Sequence, residues 1–318
     1  MQTKLKKMTQ SSVFSVAVIA VAMILVMRII RANYFSTNNI VALLKALAVT
    51  TIVGVSQMIS IGSGGMNVSI GSTGALSAIS AALVMQNYNV HPIPAMLLAF
   101  AIGACCGVIN GLLIYRNGGV GVASFLTTMA TSSVFTGITL ILTKGRGVAK
   151  VPKAFVAIGN TELGPIPTSI FFMVAVVIIF WLFFRYAPAG RRILAFGANA
   201  KAAELYGVNR FKCVLLVNVL ASLVAALAGM LVVMRVGSAQ PDIGSDWMLT
   251  SFAVSLMGGT RQAGGKVNVP GVILGGIIMT VIANALVHLG ADVYWTQLIN
   301  GIVILGIMAL DQLKNIKK

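Results

Sequence analysis

The side chains of this chain that could do chemistry are few, and most of them make hydrogen bonds rather than transfer protons. The densest group lies in Gly62-Ser-Gly-Gly-Met-Asn-Val-Ser-Ile-Gly-Ser-Thr-Gly74, where five hydroxyl or amide side chains are interspersed with five glycines. Asn67, Ser69, Ser72 and Thr73 offer donors and acceptors without charge there. Metal chemistry is not supported, because His91 and His288 are far apart and have no Cys, Asp or Glu at ligand spacing. The six acids, Glu162, Glu204, Asp242, Asp246, Asp292 and Asp311, all fall in loops or at the ends of apolar runs. None is placed to carry protons or sodium through a membrane. Cys105, Cys106 and Cys213 show neither metal spacing nor a disulfide framework. A G-x-x-x-x-G-K-[ST] phosphate loop is missing too, so the chain does not hydrolyse nucleotide by that route.

The elements that must position these groups are membrane helices. With 58% hydrophobic and 9% charged residues and a mean hydropathy of +0.96, the composition lies far from the soluble balance of about 45–50% apolar and about 25% charged. Long apolar runs such as Val13–Ile30 and Ile170–Phe184 indicate helices, where a barrel would show short alternating segments. The expected fold is an all-α integral membrane protein of about ten transmembrane helices, forming one transmembrane domain over 1–318. After Val13–Ile30, the predicted spans are 40–61, 72–86, 92–115, 121–142, 169–186, 212–235, 246–258, 270–289 and 295–311. The first is read as a retained span, since its 18 residues exceed a signal-peptide core and no small-residue cleavage site follows. The net charge of +17 reflects basic residues at span ends, which points to topogenesis and lipid headgroups and not to nucleic acid. With the amino terminus inside, cytoplasmic segments hold 15 of the 23 basic residues and outer segments seven. That bias places both termini in the cytoplasm.

Two glycine-rich stretches interrupt the helical pattern, 62–74 and Gly258-Gly-Thr-Arg-Gln-Ala-Gly-Gly-Lys-Val-Asn-Val-Pro-Gly271. They read as a pair of broken segments beside a central pathway, or as ordinary turns whose small residues let helices approach closely. A third feature is the charged segment 187–210 between two apolar runs. Asn199 is a suitable N-cap, Lys201 and Glu204 pair at i,i+3, and Gly207 stands where a left-handed C-cap is wanted. A helix of about two turns is marginal alone in water, so it is either held by a docking partner or folded against its neighbours as a connector.

Four stretches resemble the membrane-spanning permease subunit of bacterial ribose-type sugar ATP-binding-cassette importers. They are Gly64-Gly-Met-Asn-Val-Ser-Ile-Gly-Ser72, Asn110-Gly-Leu-Leu-Ile114, Gly190-Arg-Arg-Ile-Leu-Ala-Phe-Gly-Ala-Asn-Ala-Lys-Ala-Ala-Glu-Leu-Tyr-Gly-Val208, and Gly258-Gly-Thr260 with Gly264-Gly265. The resemblance implies a multi-pass protein of the bacterial inner membrane, working with a second permease copy or paralogue, a cytoplasmic ATPase and an extracytoplasmic solute-binding protein. It implies no cofactor in this chain, with ATP held by the ATPase. It also makes 199–207 a coupling helix, with Gly190, Arg191, Arg192, Asn199, Ala202, Ala203 and Glu204 as ATPase contacts. Where family members usually carry an acid, in a Gly-Gly-Ile-Asp-Leu-Ser type of stretch, this chain has Asn67. The expected solutes therefore extend from ribose and related sugars to sugar-like molecules such as a furanosyl signal or a nucleoside.

The function expected is passage of a small polyhydroxylated solute by alternating access, with Asn67, Ser69, Ser72 and Thr73 on the path. A stand-alone secondary transporter or facilitator is the alternative, disfavoured by the missing intramembrane acids, although facilitators need none. A membrane-embedded enzyme lacks both nucleophile and metal set.

Overall fold

The computed structural model describes residues 32–164 and 166–290, together with Leu25, Met27, Trp295, Gln297, Leu298, Gly301, Ile302 and Leu305. The predicted spans Val13–Ile30 and 295–311 therefore lie outside the described residues but for these isolated positions. After a 3-10 turn at Ala32–Phe35 come α1 (Thr37–Gly62), α2 (Ile70–Tyr88), α3 (Pro92–Arg116) and α4 (Val122–Thr143). A short α5 (Lys153–Asn160) and a two-stranded antiparallel hairpin, β1 (Glu162–Leu163) and β2 (Ile166–Pro167), lead to α6 (Thr168–Tyr186). Then follow α7 (Pro188–Ala198), α8 (Ala200–Leu205), α9 (Arg210–Val236), α10 (Trp247–Met257) and α11 (Val269–His288).

Six of these, α1, α3, α4, α6, α9 and α11, are long and apolar enough to cross a membrane. The predicted boundaries fall within a few residues of the observed ones because polar caps mark them. Ser36 accepts from the Asn39 amide, His91 precedes a proline at the first turn of α3, and Asn209 and Asn268 accept from the amides of Lys212 and Gly271. One expectation needs correction. The predicted eighth span, 246–258, is the 11-residue α10, about 16 Å long, too short alone for a hydrocarbon core of about 30 Å. Between α4 and α6 the chain is not plain loop, since it holds α5 and the hairpin, and Val148 pairs with Ala239 across to the segment after α9.

Helix α9 is the centre of the fold and packs on α3, α2 and α1. Its most extensive seam is with α3, where Gly103, Gly107 and Gly111 recur every fourth residue. A Cβ at Gly107 would lie 2.6 Å from Val219 Cα and 2.7 Å from the Asn218 carbonyl oxygen, so only glycine allows the two backbones this approach. Around this seam Val217, Ala221, Ala225, Ala228 and Leu231 join Ile52, Val55 and Ile59 of α1 in one continuous core. Lys45, stranded within the predicted second span, meets Glu162 of the hairpin at 3.4 Å.

Candidate translocation cavity and the 187–210 loop

The irregular stretch between α1 and α2 is held by hydroxyls of α4. The Met66 amide donates to Ser124 Oγ at 2.9 Å and the Val68 amide to Thr128 Oγ1 at 3.0 Å. Backbone donors that would stand unpaired in hydrocarbon are thereby satisfied. Asn67 Oδ1 accepts from both the amide and the hydroxyl of Ser69, at 2.9 and 2.8 Å. Asn110 of α3 donates to Ser69 Oγ at 2.8 Å and accepts from Thr131 Oγ1 at 2.6 Å. Asn67 and Ser69 thus belong to a buried network tying α2, α3 and α4 together, with their recorded hydrogen bonds spent inside the protein.

Beside this network lies a cavity of about 460 Å³ between α2, α4 and the segment leading into α10. Ser72, Ser132, Thr136, Thr139, Asp242 and Ser245 supply its polar wall. Of the four predicted path residues only Ser72 reaches this wall, where its hydroxyl donates to Ser132 Oγ at 3.1 Å. Asn67, Ser69 and Thr73 stand behind it, each buried. This placement has a local cause: Asn67 and Ser69 lie on the covered side of the break, while Val68 and the start of α2 open onto the cavity. The opposite wall is pinned by backbone contact, since a Cβ at Gly71 would fall 2.0 Å from the Gly244 carbonyl oxygen.

At the other end of the break, the two glycine-rich stretches meet each other and α7. The Gly62 carbonyl accepts from the Gly265 amide at 3.1 Å. A Cβ at Gly197 of α7 would lie 2.1 Å from that same Gly62 oxygen and 2.9 Å from the Gly265 nitrogen. Gly64, Gly264 and Gly265 hold φ angles of 79°, 84° and 77°, a region that side chains with a Cβ rarely enter. Directly after α7, Asn199 caps α8 by accepting from the Ala202 amide at 3.0 Å, and Gly207 ends it at φ 81°.

Residues 39–308 match the protein family described as branched-chain amino acid transport system / permease component. The chain belongs to that family. The permease is 32% identical over 297 residues to the ribose import permease RbsC of Bacillus subtilis, covering 92% of this chain and 90% of that protein. It is 30% identical to the D-allose transport system permease AlsC of Escherichia coli, over 88% of this chain and 85% of that one. The galactose/methyl galactoside import permease MglC of Escherichia coli is 32% identical, with 90% of each covered. In fold the permease is similar to a metal-chelate type ABC transporter solved in an inward-facing conformation, with a TM-score of 0.54 at 16% identity, over 93% of this chain and 98% of that one.

The fold sorts the residues expected to contact an ATPase, in the 187–210 segment, into two groups. Arg191, Arg192, Asn199 and Glu204 are exposed, and Ala202 is half-buried. Ala203 is buried and packs with Phe196, Ile114, Cys213 and Val214, so its methyl is an inward anchor and not a contact surface. Gly190 is also turned inward, where a Cβ would meet the Phe183 carbonyl oxygen at 2.3 Å. Helical geometry explains Ala203, because a six-residue helix between two packed segments must commit one face to the protein, whereas Gly190 lies in the first turn of α7, pressed against the end of α6. The residues that sequence reasoning passed over are Leu205 and Tyr206, 88% and 91% exposed at the end of α8. Large apolar groups on a loop of charged residues were the available signal. For the cavity wall the signal was the density of Ser and Thr in 121–142, which composition alone reads as one more apolar run.

Proposed function

We propose that this chain is the transmembrane permease subunit of an ATP-driven importer, translocating a small polyhydroxylated solute of the pentose or hexose class, such as ribose, delivered by an extracytoplasmic binding protein. The observation that carries this reading is the likeness to sugar-import permeases along nearly the whole chain. It is a transport subunit and not an enzyme. ATP is bound and hydrolysed on a cytoplasmic ATPase, and a second permease copy or paralogue completes the path. The chain resides in the bacterial inner membrane, with ten membrane segments, α10 being a half-length one, and both termini in the cytoplasm.

The mechanism follows from the inner-face junction. The ATPase grips the α7–α8 loop through Arg191, Arg192, Asn199, Glu204 and the exposed Leu205 and Tyr206. Motion of α7 then acts through Gly197 on Gly62 and Gly265, where both glycine-rich breaks are joined. The first break leads through the Asn67–Ser69–Asn110 network to the start of α2 and hence to the Ser72 wall of the cavity. A packed junction of this kind passes on a discrete shift rather than absorbing it, which suits alternation between two arrangements.

Purification after mild solubilisation tests the reading. An importer permease brings down an ATPase subunit, and vesicles holding the complex take up D-ribose or a related sugar only with ATP and binding protein present. A chain that purifies alone and equilibrates the solute without ATP is a facilitator, and the proposal falls.

A further inference from the structure

We infer that the cavity between α2, α4 and residues 241–248 is a solute-holding station whose selecting group is the Asp242 carboxylate, and that its ligand carries two adjacent hydroxyls. The inference deepens the importer reading above and rests on it. The volume of about 460 Å³ falls within the range of about 300–1,000 Å³ typical of small-molecule sites.

The wall is divided by chemistry. Ser72 and Ser132 bond to each other, and Thr139 Oγ1 donates to its own helix at the Phe135 carbonyl, 2.8 Å away. The Asp242 carboxylate, Thr136 Oγ1 and Ser245 Oγ have no hydrogen-bond or ion-pair partner among the described residues, although Asp242 and Ser245 are linked through their backbones at 3.1 Å. Asp242, Thr136 and Ser245 are exposed, and neither Lys nor Arg is among the residues lining the cavity, so the carboxylate has no counter-charge there. An ionised carboxylate only accepts hydrogen bonds and offers two oxygens side by side. A vicinal diol supplies two hydroxyl donors at matching separation, and charge-assisted bonds of that kind are about twice as strong as neutral ones. Thr136 and Ser245 remain to donate to or accept from the other hydroxyls, while Val68, Ala75, Ile243 and Met248 cover the carbon face of a sugar ring.

Position is fixed as well as chemistry. Gly71 and Gly244 are in backbone contact, and Ser72 and Asp242 lie one and two residues from that contact. The helix start and the acid are therefore registered against each other, and a shift of this pair relative to α4 changes the distance across the cavity. This gives a station that can hold solute in one arrangement and release it in the other.

The test uses thiol protection in the full complex. With Cys105, Cys106 and Cys213 replaced by alanine, Thr136→Cys places a reporter on the wall, and its labelling by N-ethylmaleimide is followed with D-ribose, D-allose or D-galactose added. At least one sugar is expected to slow labelling by about tenfold, its deoxy analogue lacking one hydroxyl of the diol to do so far less, and Asp242→Ala to abolish the protection. Co-purification of the ATPase with each variant is measured in parallel. Protection that survives Asp242→Ala, or that no sugar produces, overturns the inference. The importer reading stands in that case if the ATPase still co-purifies and falls if it does not.

Discussion

The carbonyl oxygen of Gly62 and the amide of Gly265 are hydrogen-bonded at 3.1 Å, although 203 positions separate them. That bond joins the end of α1 to the turn before α11, and Gly197 of α7 is pressed onto it. A Gly197→Ala change drives a methyl into backbone on both sides. Overpacking typically costs about 1–3 kcal/mol, so a lower Tm is expected, together with ATP hydrolysis that no longer drives uptake. Thermal melting and the ratio of uptake to hydrolysis in vesicles check this. A variant with unchanged Tm and unchanged ratio would show that the junction yields freely.

Gly107 and Gly137 make a matched pair. A Cβ at Gly107 meets the α9 backbone, whereas a Cβ at Gly137 of α4 meets nothing within 4 Å. Gly107→Ala should lower Tm, while Gly137→Ala should be neutral or gain up to about 1 kcal/mol from helix propensity. Equal effects in melting experiments would remove the α3–α9 seam as the reason for the glycine.

Asn67 is expected to act on stability before specificity. Asn67→Leu leaves the amide and hydroxyl of Ser69 without their acceptor, and each stranded buried donor costs about 1–3 kcal/mol. Asn67→Asp keeps an acceptor in the same place and should melt closer to the parent. The order of the two Tm values decides it. A leucine variant as stable as the aspartate one would mean the network carries no weight.

The α8 helix separates packing from docking. Ala203→Trp forces a large ring among Phe196, Ile114 and Val214, and is expected to reduce yield and Tm. Leu205→Asp and Tyr206→Ala alter exposed groups and should leave melting unchanged while ATPase co-purification drops. If those two variants still recruit the ATPase fully, the partner does not use the tip of α8.

Orientation is read by labelling intact cells with a membrane-impermeant thiol reagent. Asn89→Cys, at the left-handed end of α2, should react from outside, and Lys201→Cys on α8 should react only after permeabilisation. The reverse pattern would invert the topology and put the Asp242 cavity on the wrong side for a binding protein.

The membrane class, the helix ends and the short capped helix after Asn199 were legible along the chain, because each rests on local chemistry. Apolar runs have no alternative to burial or lipid, and Ser36, Asn199, Asn209 and Asn268 cap the amides that follow them whatever the rest of the chain does. The sequence also marked the two glycine-rich stretches as special. What it left open was whether they serve a pathway or close packing, and the tertiary structure decided this residue by residue. Gly62, Gly197 and Gly265 are packed against one another, Asn67 and Ser69 are closed into a network, and Ser72 alone of the predicted group faces the cavity. The wall completing that cavity comes from α4 and from residues 241–248, far from Ser72 in sequence. Side-chain direction on a helix depends on which neighbours cover it, so burial of Ala203 and exposure of Tyr206 three residues later were settled only when α7, α3 and α9 closed over one face of α8. Long-range contacts of this kind carry no local signal, and that is the physical reason the fold class was legible from the chain while the site was not.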